Sequence, residues 1–145
     1  MLRSALSFAA LMCSVTLSLA QSDVISARKD LMKKLGDAGD ELVKMDKGQA
    51  PFDLAKVQAY LKAAVEASET GPKLFPESSK TGDTRVAPKV WETPDDFASK
   101  WTSFGKLARE AQANVKDEAS FKASFSTVDR ACVDCHRNYR LRRQR

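Results

Sequence analysis

Five residues near the end of the chain carry its most specific chemistry: Cys132-Val133-Asp134-Cys135-His136. Two thiols three residues apart, followed at once by an imidazole, form the C-x-x-C-H pattern of covalent haem attachment. The thiols can add to the two vinyl groups on one edge of a porphyrin, and their spacing matches that edge. The imidazole beside them then lies under the iron as an axial ligand. Other readings of a cysteine pair fit less well. A disulfide across a two-residue spacer on a helix is strained and reducible, a poor staple. A dithiol redox pair wants a βαβ setting, and a zinc site needs four ligands. His136 is the only histidine, and no second cysteine pair exists. The pattern predicts one haem c with its iron, bound through Cys132 and Cys135 and ligated by His136.

Such attachment belongs outside the cytoplasm, and the start of the chain agrees. Arg3 gives a positive first segment, Ala5 to Leu19 is apolar apart from small polar residues, and Ser18-Leu19-Ala20 precedes Gln21. This is the pattern of a signal peptide, residues 1–20, cleaved after Ala20 to release a single domain of residues 21–145 into the periplasm. The run is short and rich in Ser and Ala, so no membrane anchor is expected. Cys13 falls inside it, and Met12 is too large for the residue ahead of a lipidation site. Removing the leader takes away Arg3 alone, leaving 23 Lys and Arg against 19 Asp and Glu. Arg137, Arg140, Arg142, Arg143 and Arg145 crowd the end of the chain. A basic cluster can meet nucleic acid or an anionic membrane. Here the body mixes both signs and no aromatics interleave with the arginines. No nucleic-acid partner is expected.

The elements that must position the motif read at helical period, with no alternating β-branched run. Ser22 or Asp23 is expected to cap a first helix reaching about Met45, with Val24, Arg28, Leu31, Met32, Leu35 and Leu42 on one stripe. Gly48 and Pro51 break it. Asp53 caps a second helix to about Thr70, with Val57, Tyr60, Leu61, Ala64 and Val65 inward. Residues 71–94 form a long connection, packed down by Leu74, Phe75, Val90 and Trp91. Thr93, followed by Pro94, Asp95 and Asp96, is expected to cap a third helix to about Val115. Its inward residues include Phe97, Trp101 and Phe104. Asp117 caps a fourth, expected to run to about Arg142 with Phe121, Phe125, Val128, Cys132, His136 and Tyr139 on one side. The fold class is all-α: an antiparallel up-down-up-down four-helix bundle around one haem.

In that topology the first helix starts where the fourth ends. Met32 and His136 then differ in height by only about 5 Å, whereas Met45 lies about 20 Å further down. With no second histidine, Met32 is the expected sixth ligand. A doubly ligated iron suits electron transfer; an iron with one protein ligand leaves a face open to small gases.

The sequence around the motif, Cys135-His136-Arg137-Asn138-Tyr139-Arg140 close to the chain end, resembles the class II c-type cytochromes, the cytochrome c′ family. The likeness extends to Arg28 and Met32 four apart, Gly48-Gln49-Ala50-Pro51-Phe52-Asp53, Leu74-Phe75-Pro76, and Pro88-Lys89-Val90-Trp91. The resemblance implies more than the residues do alone. Where high-spin members carry an apolar residue four after the first-helix arginine, the low-spin cytochrome c-556 branch carries an iron-binding methionine. Here that position is Met32. Arg28 resembles the arginine that pairs with a haem propionate, and Arg140 the one beside the proximal imidazole. Trp91, Phe97, Phe121, Phe125 and Tyr139 are candidates to wall the haem. The expected function is non-enzymatic: a periplasmic electron carrier exchanging single electrons with redox partners that present acidic docking faces. The alternative is a five-coordinate cytochrome c′ binding nitric oxide or carbon monoxide. Family members often form homodimers through their first two helices.

Overall fold

Helix formers fill most of the chain, and capping chemistry divides them. The computed structural model describes residues 3–142, with side chains described for Gln21 to Arg142. It contains α1 (Arg3–Asp46), α2 (Leu54–Thr70), α3 (Lys89–Glu92), α4 (Pro94–Asn114) and α5 (Glu118–Tyr139). α3 is a single turn in the long connection, which also holds two 3-10 turns at Gly71–Leu74 and Glu77–Ser79. The expected signal peptide lies outside the residues whose side chains are described, as do Arg143 and Arg145.

The ends of the helices follow local rules in most places. Gly48, at φ +68°, closes α1 by turning its N–H onto the carbonyl of Met45 at 3.0 Å. The Asp53 carboxylate accepts the N–H of Lys56 at 3.1 Å and starts α2. Asp117 and Ser120 form a reciprocal capping box for α5, at 2.8 and 3.0 Å.

Three expectations are corrected. α1 does not start at Ser22 or Asp23; it runs through them from Arg3, because the segment ahead contains no Gly or Pro to stop it. Thr93 precedes α4, yet its hydroxyl does not cap it. That hydroxyl donates back to the Lys89 carbonyl at 3.0 Å and meets the Tyr139 hydroxyl at 3.2 Å. Thr93 also closes α3 through its own N–H, so its side chain serves the preceding turn. Finally, α5 stops at Tyr139 instead of Arg142. Arg140 turns extended and pairs with Val86, while Ala87 donates to the Tyr139 carbonyl and Leu141 to that of Arg85. These long-range backbone bonds replace another turn of helix.

The four long helices form an antiparallel bundle. α2 and α4 run in opposite directions, since Gln58 reaches the carbonyls of Gln112 and Val115 while Gly71 meets Trp101. The start of α5 lies by the turn after α1, where Phe121 packs on Phe52 with ring centroids 5.7 Å apart. The core is shared by Leu42, Leu61, Val57, Val115, Phe121 and Val128, all buried.

Candidate haem site

On α5 the inward stripe changes character as it approaches the motif. Phe121, Phe125 and Val128 are buried, then Cys132, Cys135 and His136 are half-buried, and Tyr139 is buried again. Both cysteines are free thiols and pack against the core cluster. The Cys132 thiol donates to the Val128 carbonyl at 3.6 Å. Burial pushes the Cys132 thiol up to about 11, against a smaller opposing effect from Tyr60. Burial also raises Cys135, with Lys100 opposing and Asp96 reinforcing. Neither is a reactive thiolate at neutral pH. Burial lowers His136, and the charges of Arg140 and Arg85 lower it further. It is held neutral, the form that ligates a metal.

On α1, Met32 is half-buried against the core, with Arg28 one turn earlier. Arg28 is only 4 % exposed. One guanidinium nitrogen donates to the Leu74 carbonyl and the Ser79 hydroxyl, both at 3.1 Å; the other donates to the Thr84 hydroxyl at 2.9 Å and the Ser79 carbonyl at 3.4 Å. The group also sits 5.0 Å from the Phe75 ring centroid. No carboxylate among the described residues pairs with it, and burial works against its charge.

A single short segment ties these two helices at one end of the bundle. Thr84 binds Arg28, and two residues later Val86 pairs with Arg140. Met32 is four residues inward from Arg28, and His136 four residues inward from Arg140. Met45, by contrast, is buried in the last turn of α1, at its other end.

Of the expected wall residues, Phe97 is buried edge-on to Phe75 at 4.8 Å and to Tyr139 at 5.1 Å. Trp91 is half-buried, its indole N–H donating to the Phe75 carbonyl at 3.0 Å and Lys80 lying 5.8 Å over its ring. Arg140 is exposed just past α5. Phe121 packs on Phe52 and Phe125, fifteen residues before His136, and is not brought near the motif. Two groups of residues were not singled out by the sequence. Tyr60 had been read only as an inward core position, and its ring, edge-on to Phe125 at 6.5 Å, joins α2 to α5. Ser79 and Thr84, which hold Arg28, are ordinary loop residues with no local signal.

The donor set fits a covalently held porphyrin with iron. Two protonated thiols and a neutral imidazole share one face of α5, and a thioether stands on the facing helix. One buried nitrogen group also lacks an acceptor: Trp101, 7 % exposed, has an indole N–H with no partner among the described residues. A buried donor left unpaired points to a group outside the polypeptide. Fold and motif together define a c-type haem protein of the four-helix-bundle class.

Comparison with known proteins makes the class specific. A family profile described as Cytochrome C' matches residues 23–140. Cytochrome c′ of Rhodopseudomonas palustris is 41% identical over 127 residues, 87% of each chain. Cytochrome c-556 of the same organism is 33% identical over 145 residues, 97% of each. The solved structure of R. palustris cytochrome c′ superposes with a TM-score of 0.80 at 41% identity, covering 84% of this chain and 98% of that one. The chain belongs to the cytochrome c′ family. Its cofactor is therefore haem c with iron, covalently bound, and its class is that of electron carriers and ligand binders.

Proposed function

We propose that the protein is a periplasmic electron carrier whose haem c is attached through Cys132 and Cys135 and ligated by His136 and Met32. When bound, the haem supplies a reversible one-electron couple. The residues of the chain do the rest. Cys132 and Cys135 fix the cofactor against loss, His136 presents a neutral imidazole, and Arg28 offers a buried positive charge to a propionate. Phe97 and Trp91 are proposed to shield the site, and Arg140 to place a charge beside the imidazole. The leader is removed after Ala20 on export, and homodimerisation through α1 and α2 belongs to the same reading. Among the described residues, no helix is long and apolar enough to cross a membrane.

One observation carries the ligand assignment: the 84–86 segment binds Arg28 and Arg140, and Met32 and His136 lie equally far inward from them. A thioether ligand favours ferrous iron, and a filled coordination sphere changes little on electron transfer. The oxidised protein should then be low-spin, with the weak near-infrared band of sulfur–iron bonding. Met32→Ala should remove the band, lower the potential and admit carbon monoxide, whereas Met45→Ala should do none of these. A high-spin spectrum in the unaltered protein decides for the second reading, a five-coordinate gas-binding cytochrome. That reading draws on the cytochrome c′ name of the 41% relative.

A further inference from the structure

A single side-chain oxygen links α1 to the end of α5. Oγ1 of Thr84 accepts from the Arg28 guanidinium of α1 at 2.9 Å and from the backbone N–H of Val86 at 3.2 Å. Val86 in turn bridges Arg140, just past α5. On either side of that bridge, Ala87 N–H donates to the Tyr139 carbonyl at 3.0 Å and Leu141 N–H to the Arg85 carbonyl at 2.8 Å. A tight turn presents the Thr84 hydroxyl. The Thr84 N–H donates to the Gly82 carbonyl at 2.8 Å, and Gly82 sits at φ +102°, a conformation open to glycine.

The other acceptors of Arg28, Leu74 and Ser79, lie in the connection before that turn. Among the described residues, only Thr84 accepts both from Arg28 and from the segment paired with the end of α5. The bond from Arg28 is charge-assisted, and bonds of that kind are the stronger ones. Arg28 is buried, so losing this acceptor strands a donor away from water.

We propose that Thr84 is a positioning residue for the sixth ligand: by tying Arg28 to the end of α5 it holds Met32 in place and sets how often its thioether leaves the iron. This rests on the reading that Met32 and His136 both ligate the haem. Met32 is one turn from Arg28 and His136 one turn from Arg140, so parting the two anchors parts the two ligands. On that reading α5 is held to the porphyrin through Cys132 and Cys135, whereas α1 has no covalent hold, and α1 is the side that yields. The exchange is simple. The sulfur–iron bond breaks with its electron pair on sulfur, and an incoming carbon monoxide donates a pair in its place.

The test compares Thr84→Val and Thr84→Ser in the haem-loaded protein. Valine keeps the shape and removes the acceptor; serine restores it. At saturating carbon monoxide, binding to the reduced protein is limited by the departure of Met32. That limiting rate should rise about tenfold or more in Thr84→Val, the effect of a lost hydrogen bond to a charged group on an opening equilibrium. It should return toward the unaltered value in Thr84→Ser. Amide hydrogen exchange at Ala87 and Leu141, which needs no ligand at the iron, should quicken in Thr84→Val as the pairing opens. A merely stabilising role predicts a lower urea midpoint with an unchanged limiting rate, and that result overturns the inference. Unchanged exchange at both amides, or a limiting rate raised equally by valine and serine, overturns it as well. An unaltered protein that is high-spin when oxidised overturns the Met32 reading and this inference with it.

Discussion

At the scale of single residues, the site is a set of groups whose burial is incomplete without a non-protein partner. Cys132 and Cys135 illustrate it: they are apolar enough to be pushed toward the protonated form, yet neither forms a disulfide. Covalent attachment uses them directly. The mature protein should keep haem staining at its band on a denaturing gel, and Cys132→Ala with Cys135→Ala should lose it. Haem extracted by acid acetone from the unaltered protein would sink the assignment. Arg28 carries a second prediction. Its guanidinium satisfies Leu74, Ser79 and Thr84 at once. Arg28→Met fills a comparable volume but strands those acceptors, and should cost about 2–4 kcal/mol in urea unfolding, since each buried orphan costs about 1–3 kcal/mol. An unchanged midpoint would show that the loop finds other donors. The same residue shows how far sequence reaches. Arg28 was legible as a polar residue on an apolar stripe; its acceptors were not, because they lie 46 to 56 residues away.

At the scale of elements, the close crossing of α2 and α4 depends on two glycines. A Cβ at Gly71 would come within 2.4 Å of the Trp101 ring, and one at Gly105 within 2.3 Å of the Ser68 hydroxyl oxygen and 2.8 Å of its Cβ. Gly71→Ala should therefore cost about 1–3 kcal/mol, the usual penalty for overpacking. Gly36, in the middle of α1, meets nothing within 4 Å. Gly36→Ala should be stabilising by about 0.5–1 kcal/mol, because alanine loses less entropy in a helix. Thermal unfolding of both variants checks the contrast, and equal behaviour would refute the packing account. The start of α5 adds a pH prediction. Its cap, Asp117, is held below the ordinary carboxylate range by its hydrogen bonds with the Ser120 side chain and backbone. A lowered carboxyl contributes stability that is present above its unfolded pKa and is lost as pH falls through its folded value. Asp117→Asn should flatten that acid part of the stability curve. A curve that keeps its slope would rule Asp117 out as its source.

At the scale of the whole molecule, charge is uneven. The formal net charge is +5, and Arg85, Arg137, Arg140 and Arg142 gather where α5 ends. Arg137 is held by Asp134 at 3.1 Å, and Arg85 donates to the Leu141 carbonyl at 2.8 Å. The end of the bundle nearest His136 is therefore basic, and a transient partner is steered better by such charge than by a large apolar interface. Second-order electron-transfer rates with an acidic partner should fall as salt rises, since about 0.1 M salt screens charges beyond about 10 Å. Replacing Arg142, Arg143 and Arg145 by Gln should lower the rate and reduce the salt slope, without changing the visible spectrum. If rate and slope both hold, the arginines serve solubility and not docking.

The sequence by itself determined what depends on neighbours a few residues apart. The attachment motif, the helical period, the caps at Asp53 and Asp117, and the breaks at Gly48 and Gly71 are all of this kind, and the family resemblance rests on the same local patterns. Tertiary structure decided everything that depends on which distant backbone lies alongside. It ended α5 at Tyr139, because Arg85 to Ala87 offered hydrogen bonds that another helical turn would have forgone. It took the Thr93 hydroxyl away from α4 and gave Arg28 its acceptors. It also set Tyr60 edge-on to Phe125 and against Gly39. A helical period says that a side chain faces inward. Only the packed bundle says what it meets there.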